Sequence, residues 1–175
     1  MKNLLFVIAF AVMLLIPVDA YSQPEGGAPS GGTTNTSGVA DQRVKKVLDQ
    51  TDMDYTIDKD GDFRFLFKLP NNRVQVVFIN SKTEKYGGFE IREIWSAGYQ
   101  SEAPFSPTIA NRLLVNNFET KLGAWQTTRL NNKNVAVFTA KVDALLNAQQ
   151  LEVVLTAVRR IADEMEKEIT GRDDF

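Results

Sequence analysis

Hydrophobic and polar residues alternate over much of residues 54–95, and this period of two predicts β-strands. Phe63, Phe65 and Phe67 occupy alternate positions, so they share one face of a strand. The stretches VQVVFI and FEIREIW show the same alternation further along the chain. The pair Asp60-Gly61 and the loop SKTEKYGG interrupt the pattern where the chain turns. We therefore predict an antiparallel meander of four strands.

Three other segments have hydrophobic residues at a helical spacing. The first follows Asp41, the second begins after Ser106, and the third begins after Asn147. Asn147 and Gln150 have the spacing of a capping box, which marks the start of a helix. Two more strands surround the turn at 131–134, between the second and third helices.

The two longer helices each show an apolar side that is expected to face the sheet. In the second helix this side consists of Ile109, Leu113 and Leu114. In the third it is a continuous stripe of Leu151, Val154, Leu155, Val158, Ile161, Ala162, Met165 and Ile169. The opposite side of the third helix, which includes Asp163, Glu166 and Lys167, is expected to be solvated. The order α-β-β-β-β-α-β-β-α predicts an α+β fold, an antiparallel sheet with helices on one face.

The first 20 residues have the layout of a secretory signal peptide. Lys2 precedes an apolar run from Leu4 to Ile16, Pro17 ends the run, and Ala20 offers a cleavage position. An uncleaved signal anchor is the alternative, but a membrane-spanning helix needs about 20 apolar residues. Residues 21–40 are rich in Gly, Ser, Thr and Pro and are expected to form a flexible linker. We expect a domain at 41–171, a short tail at 172–175, export to the periplasm or medium, and no membrane span after cleavage.

The composition restricts the chemistry of the protein. The 175 residues include no Cys and no His, so thiol nucleophiles, thiolate metal sites and histidine general bases are absent. The net charge is −2, and the chain lacks the basic stripe of a nucleic-acid-binding protein. Glu90 and Glu93 face opposite sides of one strand, so they do not form a catalytic carboxylate pair. We expect no enzymatic activity, no cofactor and no nucleic-acid partner.

The segment TIDKDGDFRF resembles the start of a calcium loop, with Asp58, Asp60 and Asp62 at alternate positions. An EF-hand loop needs Gly at its sixth position and Glu at its twelfth. Counting from Asp58, those positions hold Phe63 and Leu69. We therefore predict that Asp60 turns the chain, and that no dedicated metal site is present. Weak cation binding by the three carboxylates is the alternative.

Strand alternation predicts an apolar patch on the sheet face that points away from the Phe-rich core. Such a centre with a polar rim is typical of a protein-interaction surface. The predicted patch comprises Leu66, Val77, Ile79 and Ile94, with Arg64, Lys68 and Arg92 at its rim. The alternative is that a helix or loop covers this face.

Three aromatic residues near loops form an alternative candidate site for a small ligand or a glycan: Trp95, Tyr99 and Trp125. An exposed aromatic ring can stack on a sugar or another flat ligand. Large aromatic residues are more often buried, so these side chains are also candidates for the edges of the core.

The order of elements and the hydrophobic pattern resemble the YbjN-like family of bacterial proteins, whose fold is that of type III secretion chaperones. The segments that carry this resemblance are DGDFRFLF, VQVVFI, LLVNNFETKLGAWQ and LNAQQLEVVLTAVRRIADEMEKEI, within residues 40–170. The family is described as sensory transduction regulators, and the related chaperones are dimers that bind extended client segments. The resemblance implies a non-enzymatic module that binds another protein or forms a homodimer. The predicted signal peptide and linker depart from the family's usual cytoplasmic setting.

Overall fold

The computed structural model describes residues 38–175 as three helices and one six-stranded sheet. The helices are α1 (Gln42–Leu48), α2 (Pro107–Glu119) and α3 (Ala148–Thr170). The strands are β1 (Thr56–Ile57), β2 (Phe63–Lys68), β3 (Val74–Tyr86), β4 (Phe89–Ser101), β5 (Ala124–Leu130) and β6 (Lys133–Asp143). All neighbouring strands pair antiparallel in the order β1-β2-β3-β4-β6-β5. The predicted α+β class and order of elements are confirmed.

The core forms where α3 packs on the central strands β3, β4 and β6. α3 has 23 residues and is therefore about 35 Å long, enough to cross several strands. Its predicted apolar stripe is buried from Leu151 to Met165, and Ile169 is partly buried. Asn147 caps the helix by accepting a hydrogen bond from the Gln150 amide, and Gly171 ends it with a positive φ. The capping box confirms the predicted start of this helix.

Glu166 departs from the predicted solvated side of α3, because it is fully buried. Arg73 Nη2 donates to its Oε2 at 3.0 Å, and the Asp174 amide donates to its Oε1. Arg73 Nε also donates to Asp163 at 2.7 Å. Burial raises the pKa of Glu166. Residues 172–175, predicted as a tail, thus fold back against the domain, where the Asp173 carboxylate accepts from the Val74 amide.

A buried ion pair ties α1 to the sheet. Asp41 caps α1 by accepting from the Arg43 amide, and it accepts from Arg92 Nη2 at 2.5 Å. The Arg92 side chain is only 2% exposed, and its Nη1 donates to the carbonyls of Asn80 and Ser81. Hydrogen bonds from Arg43 and Arg92 hold the pKa of Asp41 well below its usual range. Asp41 therefore neutralises a guanidinium that is out of reach of solvent.

The turn before β2 is held by Asp58 rather than by Asp60. Asp58 Oδ1 accepts from the amides of Asp60 and Asp62 at 2.9 and 3.0 Å. Gly61 has φ 85°, a conformation that glycine adopts without strain. The prediction of a turn is confirmed. The Asp60 carboxylate, however, does not hold the turn and instead forms an ion pair with the neighbouring Lys59.

The described domain includes residues before the predicted boundary at residue 41. The Gly38 amide donates to the Lys59 carbonyl at 3.0 Å, and Ala40 packs against the core. A Cβ at Gly38 would lie 1.6 Å from the Asp60 carbonyl oxygen, so only glycine fits here. The predicted signal peptide (1–20) and residues 21–37 of the predicted linker lie outside the described residues. Within 38–175, no helix is both long and apolar enough to cross a membrane.

The Asp41→Asn variant tests the buried ion pair, because it keeps a capping side chain but removes the negative charge beside Arg92. A buried charge that loses its partner costs several kcal/mol, so we expect the free energy of unfolding to fall by about 3 kcal/mol at pH 7. Urea denaturation measures this difference. The control is Asp49→Asn, which removes an exposed partner of Lys45 on the same helix and should leave stability close to wild type.

The pH dependence of this difference follows from the lowered pKa of Asp41. The stabilisation is fully present above the pKa of an unfolded Asp, about 3.9, and is lost as the pH falls through the lower folded-state value. The stability gap between wild type and Asp41→Asn should therefore be constant at neutral pH and close in strong acid. A gap that is absent at pH 7, or that persists unchanged in acid, contradicts this account.

Candidate functional site

Three members of the predicted apolar patch lie in the core rather than on the surface. Val77, Ile79 and Ile94 have no exposed surface and face the helices. The register pairs Val77 with Phe65 and Ile79 with Phe63, and residues directly opposite in a sheet share a face. The patch prediction is wrong for these residues. Both faces of β3 are apolar, so alternation alone did not identify the inner face.

Arg92, predicted at the rim of the patch, is also buried on the helix-covered face. Asp41 and two backbone carbonyls compensate its charge, a set of partners that strand alternation does not reveal. Gln75 misleads in the same way: it is fully buried, and its Nε2 donates to Ser96 Oγ and to the Ala97 carbonyl at 2.8 Å. Because these polar residues lie on the inner face, the sequence pattern led to its assignment as the outer face.

The outer face of the sheet carries the other members of the predicted patch. Arg64, Leu66 and Lys68 lie there on β2, and Leu66 is 51% exposed. Their neighbours form a groove of about 400 Å³, here called the outer groove. Its apolar lining consists of Val76, Phe78, Trp95, Ala97, Leu130, Val135 and Phe175.

The three aromatic residues of the alternative ligand site do not come together. Trp95 lies in the outer groove, stacked on Phe78 with ring centroids 4.5 Å apart. Trp125 is 7% exposed and packs in the core against Phe138. Tyr99 also packs against the core, because a register shift between Ala97 and Tyr99 reverses the alternation. The prediction that these three residues form one site is therefore wrong. Of the three, only Trp95 remains available to a ligand.

The outward edge of β5 is a feature that the residue pattern does not reveal. β5 lies at the end of the sheet and pairs only with β6. The Trp125 amide donates to Asn117 Oδ1 at 2.6 Å, and Asn117 Nδ2 lies 3.5 Å from the Trp125 carbonyl oxygen. Backbone groups of alternate strand residues point the same way, so those of Thr127 and Arg129 also point away from β6. Asn117 of α2 covers the first part of this edge and leaves the second part open.

Exposed apolar residues of α2 lie beside this edge. Leu114 is 63% exposed and Phe118 is 93% exposed, and their spacing of four places them on one side of the helix. The expectation that Leu114 faces the core is wrong, since Leu113 alone is buried in α2. A cleft of about 190 Å³ separates α2 from β5 and is lined by Leu114, Asn117 and Thr127 among others. We call this the edge cleft.

A signal for this surface is present in the sequence. The apolar residues of α2 cover more of its circumference than one buried side requires. They include Leu113, Leu114, Val115 and Phe118. The additional apolar residues of α2 therefore indicate a second contact surface. The position of β5 beside α2 shows where that surface lies.

Acidic residues of β4 and α3 serve in ion pairs. Glu90 accepts from Arg43 and Thr83, and these hydrogen bonds lower its pKa to about 2. Glu93 lies 3.1 Å from Lys141. On α3, Arg160 binds Glu164 and Arg112 binds Glu168. Within 38–175 no group of three acidic residues is arranged to hold a metal ion.

Comparison of the chain with family models, with curated proteins and with solved structures finds no match. The resemblance to YbjN-like proteins therefore rests on the sequence pattern.

The corrected face assignment predicts opposite outcomes for two substitutions on neighbouring strands. Val77→Asp buries a carboxylate in the core, so we expect the free energy of unfolding to fall by about 3 kcal/mol or more. Leu66→Asp adds the same charge to the outer face and should change stability by no more than about 0.5 kcal/mol. Chemical denaturation followed by circular dichroism measures both. Equal tolerance of the two substitutions would contradict the assignment.

Proposed function

We propose that this chain is an exported, non-enzymatic protein-interaction module of YbjN-like type that binds an extended segment of a partner protein. The segment adds as a strand to the outward edge of β5. The observation that carries the proposal is the open backbone of Thr127 and Arg129 beside the edge cleft. Strand addition uses such an edge for affinity and a neighbouring pocket for specificity.

The hydrogen bonds at this edge define how the segment would pair. Thr127 and Arg129 each present one N–H and one C=O to an incoming strand. Asn117 already occupies the outward groups of Trp125, so the added strand pairs from Thr127 onward. This polar contact therefore sets the register of the bound segment as well as covering the edge in the free protein.

The edge cleft supplies the apolar part of the interaction. Side chains of an added strand alternate between the two faces of the sheet, so every second one points towards α2. Leu114 lines the cleft and offers exposed apolar surface, and Phe118 lies one turn further along the same side of α2. The cleft has room for one side chain of moderate size. Burial of a Leu or Phe side chain contributes roughly 1.5–3 kcal/mol. The preferred partner therefore has apolar residues at alternate positions.

The residues of β5 suit a reversible interaction rather than uncontrolled pairing. Gln126, Thr127, Thr128 and Arg129 are all exposed and polar or charged. Charged residues on an edge strand reduce non-specific association. The opposite edge, β1, contains only two residues and offers less backbone to a partner. In the homodimer form of this proposal, β5 of a second copy takes the place of the partner segment.

A second candidate function is small-ligand or glycan binding in the outer groove. The stacked rings of Phe78 and Trp95 give it a flat aromatic wall, and Gln100, Asn131 and Lys133 add polar groups. This combination is typical of ligand pockets. Tryptophan fluorescence during titration with oligosaccharides tests it. Quenching that Trp95→Phe removes supports binding in this groove, and unchanged fluorescence argues against it.

Two substitutions at the edge test strand addition. Thr127→Pro removes an outward N–H and adds a ring at the open edge without breaking a bond to β6. Phe118→Asp places a charge on the apolar side of α2 beside the edge cleft. We use ten-residue peptides selected from a display library for binding to wild type. Thr127→Pro should weaken their binding about tenfold or more, a loss of at least 1.4 kcal/mol, and Phe118→Asp should also weaken it.

The control is Val153→Asp, which introduces the same charge at a 62% exposed apolar residue of α3. It should leave peptide affinity unchanged. Peptide binding that survives Thr127→Pro would exclude β5 as the site. Light scattering on the same proteins shows whether a second copy is the occupant, since a dimer that Thr127→Pro dissociates would use this edge.

A further inference from the structure

Residues 172–175, which follow α3, pass from the helix-covered face of the sheet to its outer face. The Asp174 amide donates to the buried carboxylate of Glu166 on α3. Asp174 and Phe175 then line the outer groove, which lies on the opposite face of the sheet. We call residues 172–175 the strap. It connects the α3 side of the domain with the groove that contains Trp95.

The start of β3 anchors the strap. Arg73 Nη1 donates to the Arg172 carbonyl at 2.5 Å, and the Val74 amide donates to the Asp173 carboxylate at 3.2 Å. The Arg73 side chain is itself held by Asp163 and Glu166 of α3. The strap therefore follows a defined path around the beginning of β3.

Phe175 gives the outer groove part of its apolar wall. It is partly buried and lines the groove together with Phe78 and Trp95, whose rings are stacked. The other apolar residues of the groove belong to strands of the sheet. One part of the wall is thus supplied by a short segment outside the sheet, and displacement of that segment would widen the groove.

The contacts of the strap are of a kind that opens readily. Arg172 binds Asp174 at 3.0 Å, and the Arg172 side chain is 72% exposed. Exposed ion pairs contribute little to stability. A segment with few buried apolar contacts can open locally while the rest of the domain stays folded. Phe175 is the one apolar side chain that the strap brings to the domain.

Opening of the strap leaves the buried charge of Glu166 compensated. Its Oε2 accepts from Arg73 Nη2 at 3.0 Å, a contact that does not involve the strap. Only the Asp174 amide is lost from Oε1, and water can replace it there. The strap can therefore move without leaving an unpaired carboxylate in the core, which would be strongly unfavourable.

We propose that the strap is a movable wall that limits access to the outer groove. In the closed position, which the structure shows, Phe175 narrows the groove that contains Trp95. In the open position the groove is wider and Trp95 is more exposed, so the strap determines how large a ligand can enter. This inference rests on the second candidate function for the use of the groove, and it is independent of strand addition at β5.

Acrylamide quenching of tryptophan fluorescence tests the proposal without a groove ligand. Phe175→Ala removes the aromatic part of the wall, so the quenching constant of Trp95 should rise above that of wild type. Asp173→Ala removes the contact with the Val74 amide and should change quenching in the same direction. The second tryptophan, Trp125, is 7% exposed, and its contribution is measured separately in Trp95→Phe.

The matched control is Phe118→Ala, which removes a 93% exposed phenylalanine of α2 that does not line the outer groove. It should be quenched as wild type, and circular dichroism verifies that each variant is folded. If Phe175→Ala is also quenched as wild type, the strap does not limit access to the groove and the proposal is overturned.

Native-state amide hydrogen exchange tests whether the strap moves. The amides of Val74 and Asp174 are bound by carboxylates in the closed position, so each opening of the strap frees both. They should exchange at least about tenfold faster than the Leu155 amide in the buried centre of α3. Equal protection of the three amides would show a fixed wall and overturn the proposal. Failure of oligosaccharide binding would instead remove the ligand function and leave these two results unchanged.

Discussion

The packing of α3 on β3, β4 and β6 is the interaction on which the rest of the structure depends. Its stripe from Leu151 to Met165 covers the centre of one sheet face, together with α1 and α2. Burial of apolar surface is the dominant favourable term in folding, so this layer determines which residues of each strand face inwards. Because Val77, Ile79 and Ile94 face this layer of helices, the alternate residues of the same strands must face outwards.

One layer of helices leaves two parts of the sheet available. The outer face is open along the groove that contains Phe78 and Trp95, and the edge of β5 is open at Thr127 and Arg129. α2 lies next to that edge, where Asn117 satisfies the backbone of Trp125. The same helix that completes the core thus shapes the edge cleft. The proposed partner would extend the sheet that α3 organises.

The ion pair of Asp41 with Arg92 performs a related role at the other end of the sheet. It places the start of α1 over β4, although α1 has only seven residues and buries only Val44 and Leu48. A cavity of about 350 Å³ remains between α1 and the start of α3.

Sequence patterns predicted the elements well where hydrophobicity varied along the chain with one regular period. β2 alternates clearly between Phe and other residues, and the stripe of α3 repeats without interruption, so both were assigned correctly. β3 is apolar on both faces, and its buried Gln75 and the buried Arg92 of β4 carried a polar signal that belonged to the inside. Glu166 was misassigned because its partner Arg73 is distant in sequence. Tyr99 was misplaced because a register shift is not visible in the residue pattern.

The β5 edge was beyond prediction for a different reason. Whether a strand lies at an edge depends on the order β4-β6-β5, in which the last strand in space is not the last in sequence. Alternation predicts which way side chains point, but it does not say which backbone groups lack a neighbour. The exposed Leu114 and Phe118 acquire a meaning only when α2 is placed beside that edge.

Residue-resolved amide hydrogen exchange of the free protein is the most direct test of the open edge. In a strand with one neighbour, amides alternate between bonded and free. We expect slow exchange at Gln126 and Thr128, whose amides point to β6, and fast exchange at Thr127 and Arg129. Equal protection of all four amides would show that the edge is already paired, and would contradict the account.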